Sequence, residues 1–170
     1  MSSMNSSQWE KIQLEHQASD LFARLYQQCC GKAVTFITHN EPRKPDVSVS
    51  IANQPIDIEI AHLYGSETEA KLILGKSLSE QTCTELQALD VNTSADERLV
   101  NALNRILHNK AQKFYDSDTV WLVIRNAHPD WNADSVREHQ REIHIPSAHP
   151  FAQIWLIGDL QGHSGLVRLA

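Results

Sequence analysis

The fold is indicated most clearly by residues 45–61, whose sequence is Pro-Asp-Val-Ser-Val-Ser-Ile-Ala-Asn-Gln-Pro-Ile-Asp-Ile-Glu-Ile-Ala. Apolar and polar residues alternate along its two arms, with apolar positions at Val47, Val49, Ile51, Ile56, Ile58 and Ile60. Successive side chains of a strand point to opposite faces, so each arm predicts a β-strand with one apolar and one polar face. Asn53 to Pro55 are turn-forming residues, and the stretch therefore predicts a β-hairpin.

Three carboxylates fall on the polar face of this hairpin. Asp57 and Glu59 are two residues apart and share a face opposite the isoleucines. Asp46 has the polar parity of the first strand, and antiparallel pairing brings it beside Glu59. Converging carboxylate oxygens are the ligands that Mg²⁺ or Mn²⁺ prefers. The pattern indicates a divalent-metal site, while a solvated sheet face would explain the same alternation.

Amphipathic helices precede and follow the hairpin. Apolar residues at helical spacing predict a first helix over residues 7–30, which Gly31 ends. Residues 33–38 are rich in β-formers and predict a strand before the hairpin. The capping box Ser94-Ala-Asp-Glu97 opens a second helix that is expected to end near Tyr115. Residues 64–93 have no clean period, and we interpret them as an insertion or cap over the sheet.

The remaining sequence completes an α/β order. Residues 119–124 and 151–158 predict strands, residues 134–143 a short polar helix, and residues 166–169 an edge strand. The order helix, three strands, helix, strand, helix, strand predicts a mixed central sheet flanked by helices in the α/β class. A length of 170 residues predicts one domain over residues 1–170.

Composition limits the function classes. Fifteen Lys and Arg against 21 Asp and Glu give a net charge of −6, which argues against coating nucleic acid through a general positive field but leaves room for a local basic groove. No apolar run approaches the ~20 residues of a membrane span. The first ten residues contain no secretory apolar segment. We therefore expect a cytoplasmic protein with no membrane association.

Pro45-Asp46, followed by Glu59-Ile60-Ala61 on a hairpin after a helix, resembles the PD-(D/E)XK nuclease superfamily. The resemblance covers about residues 10–126. It implies a restriction-endonuclease-like fold with core order αβββαβ, here with an extra C-terminal helix and strand. It also implies that Asp46 and Glu59 bind a catalytic Mg²⁺ or Mn²⁺, with the carbonyl of Ile60 as a backbone ligand.

The second motif departs from that family at its last position, where Ala61 replaces the usual lysine. At about 100° per residue, Lys110 lies near the middle of the apolar stripe that begins at Leu99. A lysine placed there requires an anionic neighbour, and some branches of the superfamily resemble this arrangement. A side chain that snorkels to water explains the position equally well. Lys113 is the second candidate for the missing cation.

Three further residues are candidates. Glu15 flanks the apolar stripe of the first helix, where the resemblance implies an additional acid that reaches a metal-bound water; an exposed helix charge is the alternative. Asp57 is the candidate ligand for a second metal. His62 follows the second motif on the face opposite Glu59, which favours a core or strand-end histidine.

The leading interpretation is a metal-dependent nuclease that hydrolyses phosphodiesters of DNA or RNA, with DNA the expected substrate and Lys110 orienting the attacking water. The alternative is a catalytically inactive nuclease-like fold that binds nucleic acid or protein, which Ala61 and the acidic balance favour. A third interpretation is a small partner-binding protein whose acidic face contacts a basic partner. A homodimer would suit duplex DNA by two-fold symmetry.

Overall fold

The computed structural model describes residues 6–40, 45–64 and 95–170. In chain order its elements are α1 (Ser6–Cys30), β1 (Val34–His39), β2 (Val47–Ile51), β3 (Gln54–Leu63), α2 (Ala95–Ala111), β4 (Val120–Asn126), α3 (Ala133–Glu138), a 3₁₀ turn (Gln140–Glu142), β5 (Phe151–Ile157) and β6 (Leu166–Arg168). The strands form one six-stranded sheet in the order β1-β2-β3-β4-β5-β6. The predicted α/β class with a mixed sheet flanked by helices is confirmed. Beyond Tyr64, the expected insertion lies outside the described residues.

The predicted hairpin is formed by β2 and β3, which pair antiparallel with Val47 opposite Ile58. The turn differs from the expected one. Ala52 and Asn53 form it, with φ angles of 51° and 64°, whereas Gln54 and Pro55 already belong to β3. Two successive positive φ values are typical of the tight hairpin turn whose twist matches the flanking strands.

The sheet mixes parallel and antiparallel pairs. β1 pairs antiparallel with β2, β3 runs parallel to β4, β4 runs parallel to β5, and β6 returns antiparallel along β5. A parallel pair requires a crossover connection, and α2 lies in the connection between β3 and β4. The carboxyl ends of β3 and β4 therefore meet at the same end of the sheet.

Apolar side chains form a layer on each face of the sheet. The layer under α1 includes Phe22, Val49, Ile58, Trp121 and Trp155. The layer under α2 includes Leu99, Leu103, Leu122, Ile124 and Leu156. The alternative of a solvated polar face is wrong at Glu59, which is only 8% exposed, because α2 covers that face.

Helix α2 ends at Ala111 rather than near Tyr115. Phe114, which falls within the predicted range of this helix, is 91% exposed. The last fully buried stripe residue is Leu107, and tertiary packing, which supplies most helical stability, stops near there. Tyr115 returns to the core and contacts Phe151, with ring centroids 5.6 Å apart. The predicted polar helix is likewise divided into α3 and the 3₁₀ turn. Among the described residues, no helix is long and apolar enough to span a membrane.

Candidate active site

The candidate site lies at the edge of β3 just beyond the start of β2. Because Val47 is opposite Ile58, the following residues of β3 extend past the beginning of β2. Asp46 lies immediately before β2, and its Oδ2 accepts a 2.8 Å hydrogen bond from the backbone N–H of Ile60 on β3. The N–H and C=O of one strand residue point to the same side, so the carbonyl of Ile60 also faces this edge.

Asp46 and Glu59 form a buried carboxyl pair. Continuing the register by one step places them opposite each other, and each affects the pKa of the other, so the two side chains lie close together. Burial raises the pKa of Glu59, and the negative charge of Asp46 raises it further. Burial also raises the pKa of Asp46, with a smaller contribution in the same direction from Glu15. Two carboxyls in this position bind protons or cations more readily than exposed carboxylates do.

Lys110 supplies the cation beside this pair. Its Nζ lies 3.1 Å from Oε1 of Glu59, and its side chain is 18% exposed. The geometric prediction that Lys110 reaches Glu59 is confirmed, and the alternative of an ammonium in bulk water is wrong. Lys113 lies close by, since the charge of Lys110 lowers its pKa. The catalytic role of Lys110 stays a prediction.

Glu15, on α1, is another buried carboxylate. It is 5% exposed, so the alternative of an exposed helix charge is wrong. Its Oε2 lies 2.7 Å from Nε2 of His39, and its Oε1 lies 3.7 Å from Nζ of Lys11. The effect of Glu15 on the pKa of Asp46 indicates that the two carboxyls lie near each other. Metal binding by Glu15 stays a prediction.

Asp57 is engaged elsewhere on the sheet. Its Oδ1 accepts a hydrogen bond from the hydroxyl of Ser48 on the paired strand, and that hydroxyl accepts another from Asn40. Within residues 6–40, 45–64 and 95–170, no three His, Cys, Asp or Glu side chains form a ready-made metal site. The expected convergence of three carboxylates is thus replaced by the Asp46–Glu59 pair with Glu15 nearby, and a second-metal role for Asp57 stays a prediction.

Tyr115 is a site residue that the sequence reasoning missed. Its hydroxyl is buried beside the Glu59 carboxylate, although the geometry falls short of a well-formed hydrogen bond. Burial raises the pKa of Tyr115 above its usual value, and the charges of Glu59 and Asp46 add to the effect. His39 and Lys11 were missed as well. The i,i+4 spacing of Lys11 and Glu15 is a sequence signal for one of these contacts, whereas His39 gives none.

A cleft of about 610 Å³ opens beside these groups, between α1 and α2. Its walls include Glu10, Lys11, Glu15, Ile60, Ala61, His62, Lys110 and Lys113. The volume is within the range of small-molecule and nucleotide sites. Three lysines and two glutamates line the cleft, so its wall carries charges of both signs. Burial lowers the pKa of His62 to about 4, so this residue is neutral at physiological pH.

Comparison with protein-family models, curated proteins and solved structures finds no match for this chain. A fold class by itself does not define an activity, so the chemistry of the site carries the evidence for function.

Proposed function

We propose that this chain is a metal-dependent nuclease that hydrolyses phosphodiester bonds in nucleic acid, with DNA as the expected substrate. The observation that carries the proposal is the buried Asp46–Glu59 pair at the open edge of β3, with the Lys110 ammonium 3.1 Å from Glu59. A buried pair of acids beside a cation and a cleft is a typical arrangement for phosphoryl chemistry.

The architecture supports a restriction-endonuclease-like core. Helix α1 precedes an antiparallel meander of three strands, and α2 then leads to β4, which is parallel to β3. This is the αβββαβ order that the sequence resemblance implies. The two motif acids fall at the position where β3, the last strand of the meander, extends past the start of β2.

The residues at the edge fit a divalent cation. Asp46 and Glu59 offer hard carboxylate oxygens whose raised pKa values reflect the burial of closely spaced negative charge. The carbonyl of Ile60 faces the same edge, and Glu15 adds a further buried acid nearby. When bound there, Mg²⁺ or Mn²⁺ would polarise a phosphoryl oxygen and lower the pKa of an attacking water.

The lysines of the cleft have separate tasks in this proposal. Lys110 keeps Glu59 ionised and offsets the negative charge that develops on the phosphoryl group. Lys11 and Lys113 line the cleft and attract the phosphates of the substrate strand. Tyr115 is a positioning residue, because its buried hydroxyl limits how the Glu59 carboxylate can rotate.

The direct test is cleavage of supercoiled plasmid and of labelled single-stranded DNA and RNA with Mg²⁺, Mn²⁺ or EDTA. We expect divalent-dependent nicking that falls by roughly 10²-fold or more in Asp46→Asn and in Glu59→Gln. Asp134→Asn is the matched control, because it removes an exposed carboxylate that pairs with Arg137. Equal activity in all three variants would assign the cleavage to a contaminant or to another site.

The second candidate is a nuclease-like module that binds without cutting. It is favoured by the Lys110 ammonium occupying one oxygen of Glu59 and by the lack of a ready-made three-residue metal site among the described residues. Titration with Mn²⁺, followed by electron paramagnetic resonance, separates the two functions. A bound ion that Glu59→Gln removes supports the nuclease, and lack of binding together with lack of cleavage supports the binding module.

A further inference from the structure

A second cleft of about 560 Å³ adjoins the first one on the α1 face of the sheet. The two clefts share Leu14, His62 and Tyr64 in their walls. The second cleft continues across the carboxyl ends of β3 and β4 to the loop at Leu160. The two clefts are therefore continuous, and one extended ligand can occupy both of them.

Arg125 is the central charged group of this second cleft. It lies on β4 directly beside His62 on β3 and is only 5% exposed. Its Nε and Nη2 both donate to the carbonyl of Leu160, at 3.0 and 2.6 Å. The remaining nitrogen, Nη1, has no acceptor within hydrogen-bonding distance in the part of the chain that is described.

Among the described residues the guanidinium forms no ion pair, although Asp20 lines the same cleft. Burial lowers the pKa of Arg125, and the one neighbouring ionisable group that opposes this shift is Tyr64, which is neutral at physiological pH. Buried arginines are almost always paired, because an uncompensated charge loses its hydration. A guanidinium held by a carbonyl on one side, with one donor nitrogen left over, is suited to an anion, above all phosphate.

We propose that this second cleft binds a backbone phosphate of the nucleic-acid strand whose neighbouring phosphodiester lies in the first cleft. The proposal rests on the nuclease function proposed above and names a substrate-binding subsite for it. Arg125 provides a donor, and Arg24, Gln161 and the carboxylate of Asp20 line the same cleft. Nη1 of Arg125 and Nε2 of His62 are both buried, so the proposal requires that side chains of the cleft wall move when the phosphate binds.

The shared wall adds a surface for a base. The rings of His62 and Tyr64 are stacked, with centroids 6.2 Å apart and an interplanar angle of 20°. Bases of single strands stack on such aromatic surfaces while basic side chains hold the backbone. A strand that places one phosphate at Arg125 therefore brings its base toward the side chains that separate the two clefts.

The test is binding of a fluorescein-labelled single-stranded oligodeoxynucleotide, and of the RNA of the same sequence, to the full chain in EDTA. Gln161→Glu places a carboxylate in the second cleft, where it neutralises Arg125 without disturbing a buried side chain. We expect roughly 10-fold weaker binding, and a slope of log K against log salt that is shallower by about 0.7, the value for one lost phosphate contact on a single strand.

Gln140→Glu is the matched control, because it adds the same charge on the exposed 3₁₀ turn and should change affinity less than about twofold by screening. Arg125→Met should lose affinity to the same extent as Gln161→Glu, and Arg125→Lys should recover part of it. Binding by Gln161→Glu equal to that of Gln140→Glu overturns the subsite, as does lack of binding to either oligonucleotide.

The subsite and the nuclease function fail separately. If the wild-type chain cuts DNA and Gln161→Glu binds as well as its control, the subsite is wrong and the nuclease stands. If no metal or substrate combination gives cleavage and Gln161→Glu still weakens binding, the subsite stands in a protein that binds nucleic acid without cutting it.

Discussion

Replacing Lys110 by Met removes the cation of the candidate site while it keeps a side chain of similar length and volume. At 3.1 Å from Glu59, with an effective dielectric constant of about 20, the direct attraction is on the order of 5 kcal/mol. The lysine no longer loses its hydration on folding, and Glu59 can take up a proton in the variant, so most of this attraction is offset. We expect a loss of about 1–3 kcal/mol in the free energy of unfolding at neutral pH.

The loss should depend on pH. Burial already raises the pKa values of Asp46 and Glu59 in the folded state, and removal of Lys110 raises them further. A carboxyl whose folded-state pKa is raised contributes stability that is present below the unfolded pKa of about 4 and is lost as pH rises through the folded value. The deficit of Lys110→Met should therefore be largest at neutral pH and shrink on acidification.

Urea denaturation followed by tryptophan fluorescence measures this effect, because Trp121 and Trp155 are buried in the α1 layer. Lys113→Met is the matched control. The neighbouring Lys110 lowers the pKa of Lys113. Replacing Lys113 therefore relieves the repulsion between the two ammonium groups and should leave stability unchanged or slightly higher. Cleavage by Lys110→Met should fall by roughly 10²-fold.

Two results would refute the reasoning. One is an equal loss of stability at neutral and acid pH, which would indicate that only the packed stem of Lys110 matters. The other is a double-mutant cycle with Glu59→Gln that gives no coupling energy, since two groups in direct contact should couple by at least about 0.5 kcal/mol.

Other changes test the surroundings of the site. Tyr115→Phe should move the pH optimum of cleavage upward, because the Glu59 carboxylate loses the only polar group of Tyr115 beside it and an apolar neighbour raises its pKa; an unchanged pH profile would leave Tyr115 with a packing role. Since the pKa of His62 is lowered to about 4, protonation favours the unfolded chain, and the wild type should lose up to about 3 kcal/mol of stability as pH falls from about 6.5 to about 4. Denaturation of His62→Gln should show a flatter pH dependence over that window, and parallel curves would contradict the shift. Glu15→Gln should weaken Mn²⁺ binding by about 10-fold, and unchanged affinity in a paramagnetic resonance titration would place Glu15 outside the metal's surroundings.

The hairpin and its carboxyl pair could be predicted because they depend on local periodicity. Alternation assigns the faces of β2 and β3, and a tight connection leaves few registers, so Asp46 had to fall near Glu59. The position of Lys110 was predictable for a related reason. A lysine ammonium within an apolar stripe needs an anionic partner, and the carboxylates on the polar face of β3 were the candidates.

Contacts that depend on distant segments could not be predicted in this way. His39 reaches Glu15 because β1 pairs beside β2 and packs against α1, and no spacing in the sequence encodes that approach. Tyr115 was assigned to the end of a helix, whereas its burial depends on α2 ending early and on the position of Phe151. The Arg125 cleft has the same origin, since it needs the parallel register of β3 and β4 together with the loop at Leu160.

The lysine that contacts Glu59 comes from α2 and not from β3, and the position of β3 explains why. Ala61 shares the face of Glu59 and packs in the α2 layer, while its small side chain and Lys110 line the same cleft. A cation on α2 therefore reaches Glu59 from the side that Ala61 leaves free. Because the lysine comes from a different element, the Lys110–Glu59 contact also joins α2 to β3. The Lys110–Glu59 ion pair thus sets the charge of the site and also holds α2 against β3. A substitution at either residue should therefore change both the pKa of the carboxyl pair and the packing of the helix.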